Sequence, residues 1–469
     1  MVAAPGYRNV EYHIMTQVLT DTYAETFERL RAKEFGRLDE QAHVYLDYTG
    51  SGLYARSQVT NHAEFLQGVV LGNPHSENPA AAHSNAVVEE ARRAVLAFFD
   101  ADPGEYLVCF THNASHALKL VGESYPFGDG ARFVLTADNH NSVNGIREYA
   151  RARNAVIDYL PLREDLRLVD DVQDLVRPAH GVPSLFVFPS QSNFSGVQHP
   201  ASLIDLAHER GYDVMLDAAA FVATNCLSLR DVCPEFVCVS FYKMFGFPTG
   251  VGALIARRAA FERLGRPWFA GGTVEYVSVQ SGIHQLFKGP RGFEDGTPSF
   301  LDISAVPLGL EFLKGVGVER IHEHVSSLTA LLLEALQSLS HSNGRRKIRV
   351  YGPLTSDARG GTIPFNVVDP RGNVVPFGAV ETAASQAGIS VRGGCFCNPG
   401  ASEVAFGIDG GEARRCLESF APGEFSPRRY SECLGGQPVG AVRASLGVAS
   451  NVADIDRFVT FLDEFRSPQ

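Results

Sequence analysis

The sequence lacks the features of several special classes of protein. It contains no uninterrupted apolar run near the roughly 18 residues that a membrane-spanning helix needs, and its first residues lack the basic and apolar regions of a secretory signal. Basic residues are outnumbered by acidic ones, 41 against 53, and the net charge is −12. This balance argues against a dedicated binder of nucleic acid or of anionic membranes. We therefore expect a cytoplasmic protein with neither of these partners.

Cysteine is also scarce. Eight cysteines in 469 residues are too few for a disulfide framework, so we expect reduced thiols.

Apolar residues, by contrast, are as frequent as in other folded proteins. Hydrophobic residues make up 45% of the chain and charged residues 20%, which is typical of globular proteins and excludes extended disorder.

The hydrophobic pattern predicts an α/β fold. Helix-like stretches occur after Asp21, over 84–99 and over 304–340. From residue 105 onward, short apolar runs alternate with helix-like or polar stretches, which predicts a mainly parallel sheet covered on both faces. The predicted strands are 106–110, 133–136, 185–188, 214–216, 236–239 and 251–255.

The last third of the chain shows the same alternation, with strands predicted at 347–352, 362–368 and 388–392 and helices at 377–387 and 453–465. We therefore predict a large α/β domain over 45–315 and a smaller C-terminal α/β domain over 316–469. The N-terminal segment, 1–44, is predicted to pack on the smaller domain or on a partner subunit.

Three polar features follow predicted strands, where open α/β sheets bind ligands. Ala114 and Ser115 begin a helix and could donate hydrogen bonds to a phosphate, although an ordinary helix start would look the same. Asp217 ends an apolar strand, which is costly without a partner, but a salt bridge or a helix cap would also satisfy it. Lys243 lies among aromatic residues, which favours a lowered pKa but also fits a lysine whose stem packs beside rings.

The combination of these features is more specific than its parts. Pyridoxal 5′-phosphate needs a phosphate cradle, a carboxylate opposite the pyridine nitrogen and a lysine for its aldehyde. His140 follows another strand and could stack on the ring, although a hydrogen-bonded loop histidine is an equal interpretation. The sequence therefore predicts pyridoxal 5′-phosphate as the cofactor.

A glycine-rich stretch near the C-terminus, VRGGCFCNPGAS, carries Cys395 and Cys397. The two thiols could form a nucleophile site, bind a metal or be inert. No second pair of Cys or His with the spacing of a zinc site lies nearby, so no metal is predicted. Arg392 favours the thiolate, which is the reactive form of cysteine.

These stretches resemble the class V aminotransferase-like group of pyridoxal-phosphate enzymes, and more closely the cysteine-desulfurase-like domain of molybdenum cofactor sulfurase. The resemblance runs in order through nearly the whole chain. It is carried by YLDYTGSGLY (45–54), GNPHS (72–76), FTHNASHALKLVGE (110–123), DNHNSVNGIREYA (138–150), FPSQSNFSG (188–196), LDAAA (216–220), SFYKMFGFPTGVGAL (240–254), FAGGTV (269–274), FEDGTPSFL (293–301), VRGGCFCNPGA (391–401) and GAVRASLG (440–447).

The resemblance implies the type I aminotransferase fold, with a mainly parallel seven-stranded sheet, working as a homodimer with its sites at the subunit interface. It implies a cysteine desulfurase or sulfurtransferase that takes sulfur from L-cysteine, or from a cysteine conjugate, as a persulfide on Cys397. Lys243 matches the Schiff-base lysine, and His140 the stacking histidine. The other implied cofactor-binding residues are Ala114, Ser115, Asn193, Asp217, Ser240, Tyr242 and, from the second subunit, Thr273. The implied substrate-binding residues are His75, Asn193, Arg392 and Arg443.

Three departures from the family pattern leave other hypotheses open. Ala220 replaces a side chain that hydrogen-bonds the phenolic oxygen of the cofactor, Tyr242 replaces a phosphate-binding histidine, and Ser402 replaces a further cysteine. A pyridoxal-phosphate-dependent C–S lyase acting by β-elimination, or a non-catalytic homologue, would also fit. The sequence ends before the domain with which eukaryotic sulfurases engage molybdenum cofactor, so the sulfur acceptor stays open.

Overall fold

The structure is a computed structural model that describes residues 21–466, with side chains from residue 25 onward. Strands form at the predicted apolar runs, and further strands form outside those runs. They are β1 (Val44–Tyr45), β2 (Tyr106–Thr111), β3 (Arg132–Thr136), β4 (Val156–Leu160), β5 (Leu185–Pro189), β6 (Asp213–Asp217), β7 (Phe236–Ser240), β8 (Gly252–Arg257), β9 (Val274–Ser278), β10 (Ile283–Leu286), β11 (Ile348–Val350), β12 (Thr362–Val367), β13 (Ile389–Ser390), β14 (Arg392–Gly394) and β15 (Ala441–Ser445).

Helices connect most of these strands. They are α1 (Asp21–Phe35), α2 (Arg37–Glu40), α3 (Arg56–Gly68), α4 (Pro79–Phe98), α5 (Ala114–Ser124), α6 (Asn141–Asn144), α7 (Ile146–Ala152), α8 (Val172–Leu175), α9 (Ser202–Glu209), α10 (Leu229–Val232), α11 (Phe241–Phe245), α12 (Arg258–Phe261), α13 (Phe300–Ile303), α14 (Val306–Val316), α15 (Val318–Ser338), α16 (Phe377–Gln386), α17 (Pro399–Phe406), α18 (Gly410–Glu418), α19 (Pro427–Cys433) and α20 (Val452–Glu464).

The largest sheet in the described part of the chain has seven strands in the order β2-β8-β7-β6-β5-β3-β4. β8 is antiparallel to both of its neighbours, and the other pairs are parallel. Alternate residues face opposite sides: Val108 packs in the apolar cluster with α4, whereas Leu107 packs in the cluster with α5. The prediction of an α/β fold with a mainly parallel seven-stranded sheet is confirmed.

The edge strand β4 was not predicted. Val156 and Tyr159 are exposed, Leu160 is its one buried residue, and it contains Asp158, so the segment lacks the pattern of a buried apolar run. Edge strands bury one side less completely and tolerate such residues. Pairing with β3 over five residues identifies it as a strand.

A second sheet, in the order β11-β12-β15-β14, is antiparallel and lies in the C-terminal part of the chain. Helices α15, α16 and α20 contribute Leu332, Val380 and Phe458 to the apolar cluster that covers it. The helix-like stretch over 304–340 forms two helices, α14 and α15, which meet at Gly317, where φ is 93°. Glycine reaches such left-handed values without the steric cost that other residues meet.

The described part of the N-terminal segment contacts this C-terminal region. Strand β1 pairs with β13 in parallel. The guanidinium of Arg31 on α1 forms a 2.6 Å ion pair with Asp454 on α20, and both side chains are buried. The domain boundaries at 44 and 315 stay a prediction.

The expectation of reduced thiols throughout is wrong at two positions. Cys416 on α18 and Cys433 on α19 form a disulfide across 17 residues of sequence, and the other cysteines, including Cys395 and Cys397, are free. The two partners lie on consecutive exposed helices, and their spacing carries no recognisable signal.

None of the described helices is long and apolar enough to cross a membrane.

Candidate active site

Five strands of the large sheet end at one edge, and polar segments follow each of them. Strands β3, β5, β6 and β7 are parallel to one another, and β2 has the same direction because it is related to β7 through the antiparallel β8. The predicted site residues 114–115, 140, 193, 217 and 240–243 follow or end these strands. The strand order therefore assembles residues that are far apart in sequence.

Lys243 lies on the short helix α11 directly after β7. Burial is the main cause that lowers its pKa below 10.5; the charges of Arg443 and Arg392 lower it further, and those of Asp217 and Cys397 oppose the shift. The backbone after Lys243 is held close to residues 53–54. A Cβ on Gly246, which has a φ of 80°, would lie 2.2 Å from the Tyr54 nitrogen.

Asp217 and His140 belong to the same electrostatic cluster as Lys243. Asp217 is buried at the end of β6 and accepts a 3.1 Å hydrogen bond from the Ala219 amide, but it forms no salt bridge with any described residue. Burial lowers the pKa of His140 below 6.5, which Asp217 opposes and Lys243 reinforces. The imidazole is therefore held mainly neutral, and its Nδ1 accepts the Ser142 amide at 3.1 Å.

The start of α5 offers hydrogen-bonding groups beside this cluster. The Ala114 amide donates to the Ser240 hydroxyl at 2.8 Å, which links the end of β7 to the first turn of α5. The exposed Ser115 hydroxyl lies 2.6 Å from that of Ser142. Hydroxyls and amides at the N-terminus of an eleven-residue helix suit a phosphate group.

Arg443 on β15 is buried and is oriented from two sides. One of its terminal nitrogens donates to the Asn193 carbonyl at 2.9 Å, and the other contacts Asp47 at 3.2 Å. Its Nε is buried without a partner. Arg392, about half exposed, forms a 2.6 Å ion pair with the same Asp47. Burial lowers the pKa of Arg443 to about 10.

The cysteine loop, residues 395–398, lies against these groups. The Asn193 side-chain amide donates to the Phe396 carbonyl at 2.7 Å, and the guanidinium of Arg443 lies 4.7 Å from the centre of the Phe396 ring. Cys397 is exposed at the surface of this cleft, and its charge acts on both Lys243 and Arg443. The loop therefore brings a free thiol to the lysine cluster.

Two predicted residues lie elsewhere. Thr273 is buried, and its hydroxyl hydrogen-bonds the Ala270 backbone at 2.8 and 2.9 Å. The exposed His75 contacts the Gly296 carbonyl at 3.2 Å and lies beside Gly272. The structure thus joins His75 to the Thr273 turn rather than to Lys243. Tyr242 is half-buried, and burial raises its pKa, with Arg392 and Asp217 as its charged neighbours.

Sequence reasoning missed several residues of the site. Asp47 was not singled out, although a carboxylate after the apolar run VYL is the same signal that pointed to Asp217. Asn398, which donates to the Asn193 side chain at 2.9 Å, and the buried Asp138–His199 pair at 2.9 Å have no comparable signal. The groups that they contact lie in distant parts of the sequence, so these contacts can be identified only once the fold is known.

The model of the aminotransferase class-V family matches residues 44–458. The chain belongs to this family. Class V aminotransferases are pyridoxal-phosphate enzymes, so the predicted family and cofactor are confirmed. Curated relatives include the molybdenum cofactor sulfurases of Solanum lycopersicum and Homo sapiens, each 35% identical over 94% of this chain. The chain spans 57% and 51% of the length of these two relatives.

Solved structures show the same fold. An apo cysteine desulfurase from Thermococcus onnurineus superposes with a TM-score of 0.75 at 23% identity, covering 93% of this chain and 97% of that one. The cysteine desulfurase CsdA from Escherichia coli gives a TM-score of 0.72 at 21% identity, with coverage of 93% and 97%. The predicted type I aminotransferase fold is confirmed.

The residues at the sheet edge fit the cofactor of this family. The buried Asp217 carboxylate, which lacks an ion-pair partner among the described residues, suits a protonated pyridine nitrogen. Lys243 has the lowered pKa that an amine needs to react with an aldehyde. No group of three or more His, Cys, Asp or Glu suited to a metal ion occurs within the described residues.

Proposed function

We propose that the chain is a pyridoxal-phosphate-dependent cysteine desulfurase that takes sulfur from L-cysteine as a persulfide on Cys397. The observation that carries the proposal is the position of this free thiol, on an exposed turn whose Phe396 contacts Asn193 and Arg443. A lyase that eliminates sulfide has no use for a protein thiol at this place. The names of the curated relatives and of the solved structures support the same chemistry.

The cofactor would be held by residues from several strand ends. Ser115, Ser240 and the start of α5 would bind its phosphate, Asp217 its ring nitrogen, and His140 the face of its ring, with Asn193 and Tyr242 nearby. When bound, pyridoxal 5′-phosphate withdraws electrons from the α-carbon of an amino acid. The neutral state of His140 suits packing on a cationic ring, because a protonated imidazole would repel it.

Arg443 would bind the substrate carboxylate. Its unpartnered Nε faces no described hydrogen-bond acceptor, and a carboxylate would supply one. Its other nitrogens are held by Asn193 and Asp47, which fixes the plane of the guanidinium. Arg392 adds positive charge at the outer side of the same Asp47. Substrate specificity for an α-amino acid follows from this arrangement.

The residues of the chain then perform the remaining steps. The neutral amine of Lys243 takes a proton from the α-carbon and later returns one, which its lowered pKa favours. The Cys397 thiolate attacks the substrate sulfur and becomes a persulfide, and alanine leaves. The proposal covers this half-reaction and leaves the sulfur acceptor open. A cytoplasmic location, where free thiols persist, is part of the same proposal.

Incubation with L-cysteine and a reducing thiol tests the proposal. The holoenzyme is expected to release alanine, and Cys397→Ala to lose this activity by more than about 100-fold, because the attacking thiol is gone. Cys226→Ala is the matched control, since Cys226 is also an exposed free thiol. Pyruvate and sulfide as the products, formed equally well by Cys397→Ala, would contradict the desulfurase and indicate the C–S lyase.

We also propose that the enzyme is a homodimer. The hairpin of β9 and β10 pairs with no other described strand and exposes Tyr276, Val277, Val279 and Ile283. Val279 is 95% exposed. A lone two-stranded hairpin is marginally stable, and a group of exposed apolar side chains of this kind marks an interface. Thr273 directly precedes the hairpin, so a second copy would bring the turn at 270–273 to its partner's site. The Thr273 hydroxyl would reach a phosphate there by giving up its hydrogen bond to the Ala270 carbonyl.

Sedimentation velocity tests the homodimer. The wild type is expected to sediment as a dimer, and the double variant Val279→Lys/Ile283→Lys as a monomer, because buried charges oppose association. Leu354→Lys, at another exposed apolar residue, is the control that should leave the dimer intact. A monomeric wild type would contradict the proposal.

A further inference from the structure

The two cysteines of the loop at 395–398 differ from their neighbours in exposure. Cys395 and Cys397 are exposed, whereas Phe396 and Asn398 are buried. The Asn398 amide donates to the Cys395 carbonyl at 3.0 Å, so these four residues form a hydrogen-bonded turn. One hydrogen-bonded turn therefore carries both exposed cysteines.

The turn places the two thiols within reach of each other. Two residue steps separate their Cα atoms by at most about 7 Å even when the chain is extended. The left-handed φ values of Phe396 (56°) and Cys397 (57°) close the turn further. Sulfur atoms of cysteines exchange bonds when their Cα atoms lie about 4.4–6.8 Å apart.

The large sheet's loops hold the turn in place. The Asn141 amide donates to the Cys397 carbonyl at 2.7 Å, and the Asn398 side chain donates to the Asp138 carbonyl at 2.6 Å. The Phe396 ring lies 5.4 Å from the ring of Phe194. These contacts also maintain two residues in the left-handed region, which residues other than glycine rarely adopt. A swing of Cys397 out of the cleft would break them together.

The two thiols face different surroundings. Cys397 lies close enough to Lys243 and Arg443 to influence both groups electrostatically, whereas Cys395 directly follows β14 at the start of the turn and is exposed. A sulfur atom bound as a persulfide on Cys397 is thus held beside Lys243 and Arg443. A bulky acceptor would have to enter the cleft to collect it, whereas Cys395 offers an exposed thiol at the start of the same turn.

We propose that Cys395 is a second sulfur-carrying residue, which receives the sulfur from Cys397 and presents it to the acceptor. This inference rests on the proposed desulfurase function. The Cys395 thiolate attacks the outer sulfur of the Cys397 persulfide. A bond forms between that sulfur and Cys395 Sγ as its bond to Cys397 Sγ breaks, and Cys397 takes up the proton that Cys395 lost. The step is thiol–disulfide exchange and needs no oxidant or reductant.

Mapping of the sulfur by mass spectrometry tests the transfer. Trypsin cleaves after Arg392 and Arg414, so a single peptide, 393–414, carries both cysteines, and fragment ions separate them. After one equivalent of L-cysteine and rapid alkylation, the extra sulfur is expected first on Cys397 and then on Cys395. In Cys395→Ser it should stay on Cys397.

The acceptor's size provides a second readout. With thiol-terminated polyethylene glycol as the acceptor, alanine formation by Cys395→Ser is expected to fall about tenfold, whereas with dithiothreitol it should change by less than about twofold. Cys226→Ser should behave as the wild type with both acceptors. A Cys397 persulfide that forms with alanine but never passes sulfur to Cys395 would overturn this inference alone. Failure to form either alanine or the persulfide would overturn the proposed function itself.

Discussion

The Lys243 cluster and the β9–β10 hairpin differ in whether their side chains find their contacts within one chain. In the cluster, burial and the neighbouring Asp217 and Arg443 set the pKa values of Lys243 and His140, and the exposed Cys397 lies beside them. The hairpin exposes its apolar side chains, and the adjacent Thr273 satisfies its hydroxyl only with its own turn. In the proposed homodimer, the chemistry would therefore reside in one subunit and the second copy would add binding contacts.

The largest expected effect is that of removing the central amine of the cluster. Lys243→Ala should lower alanine formation from L-cysteine by more than about 1,000-fold, because no other described amine lies in this cluster. The absorbance band that pyridoxal 5′-phosphate gains on binding should also be lost. The hairpin variant Val279→Lys/Ile283→Lys should keep measurable activity. An equal loss of alanine formation in Lys243→Ala and in the hairpin variant would contradict this distinction between the two regions.

The next largest expected effect is a loss of stability in acid, which a buried histidine causes and an exposed one does not. His324 on α15 stacks on Phe27 at 3.9 Å, donates to the Ser450 carbonyl and has an unpartnered Nδ1; burial lowers its pKa to about 4. Between pH about 6.5 and 4 the unfolded chain binds a proton that the folded chain does not. Stability is therefore lost as the pH falls, by up to about 3 kcal/mol.

Urea unfolding at pH about 7 and about 4.5 measures this contribution. His324→Gln, which keeps a neutral donor, should show a loss of stability on acidification that is smaller than that of the wild type by about 2–3 kcal/mol. The control is His322→Gln, at an exposed position of the same helix α15, which should lose as much stability as the wild type. An unchanged pH dependence in His324→Gln would show that this histidine is not a source of acid sensitivity.

A change at Asp47 tests how the cluster orients its arginines. Asp47→Asn removes the carboxylate that holds both Arg392 and Arg443, so the two guanidinium groups would repel each other without a shared anion. The KM for L-cysteine is expected to rise about tenfold, with a smaller change in kcat. Asp47→Glu, which keeps the charge, should recover part of the loss. A fall in kcat at constant KM would assign Asp47 another role.

The smallest expected effect concerns Thr273. Thr273→Ala should weaken the binding of pyridoxal 5′-phosphate by about three- to tenfold, the range of one hydrogen bond, because the phosphate retains its ligands from the same chain. Thr273→Ser keeps the hydroxyl and should bind as the wild type does. Fluorescence titration measures both dissociation constants. No difference between the two variants would exclude a contact from the second subunit through this hydroxyl.

The parts of the fold and site that could be predicted are those with a local signal. The six apolar runs of the large sheet are found with ends shifted by at most two residues, because a strand that is covered on both faces of the sheet must be apolar throughout. Lys243, Asp217 and His140 each follow such a run, so topology alone brings them to one edge.

What could not be predicted depends on contacts between distant segments. Asp47 is separated from Arg392 by 345 residues and from Arg443 by 396 residues of sequence, and no local sequence pattern indicates these contacts. The hydrogen bonds that hold the cysteine loop are of the same kind, and so is the Cys416–Cys433 disulfide between two exposed helices. The strand β4 was missed because its edge position relaxes the need for apolar residues.

The most direct test of the central claim is to locate the cofactor on the chain. The purified protein is incubated with pyridoxal 5′-phosphate, reduced with borohydride and digested with trypsin. A pyridoxyl group on Lys243 prevents cleavage there, so we expect the peptide 231–257 to appear uncut and to carry the added mass. The absence of that peptide, with the label on another lysine or on none, would contradict the account.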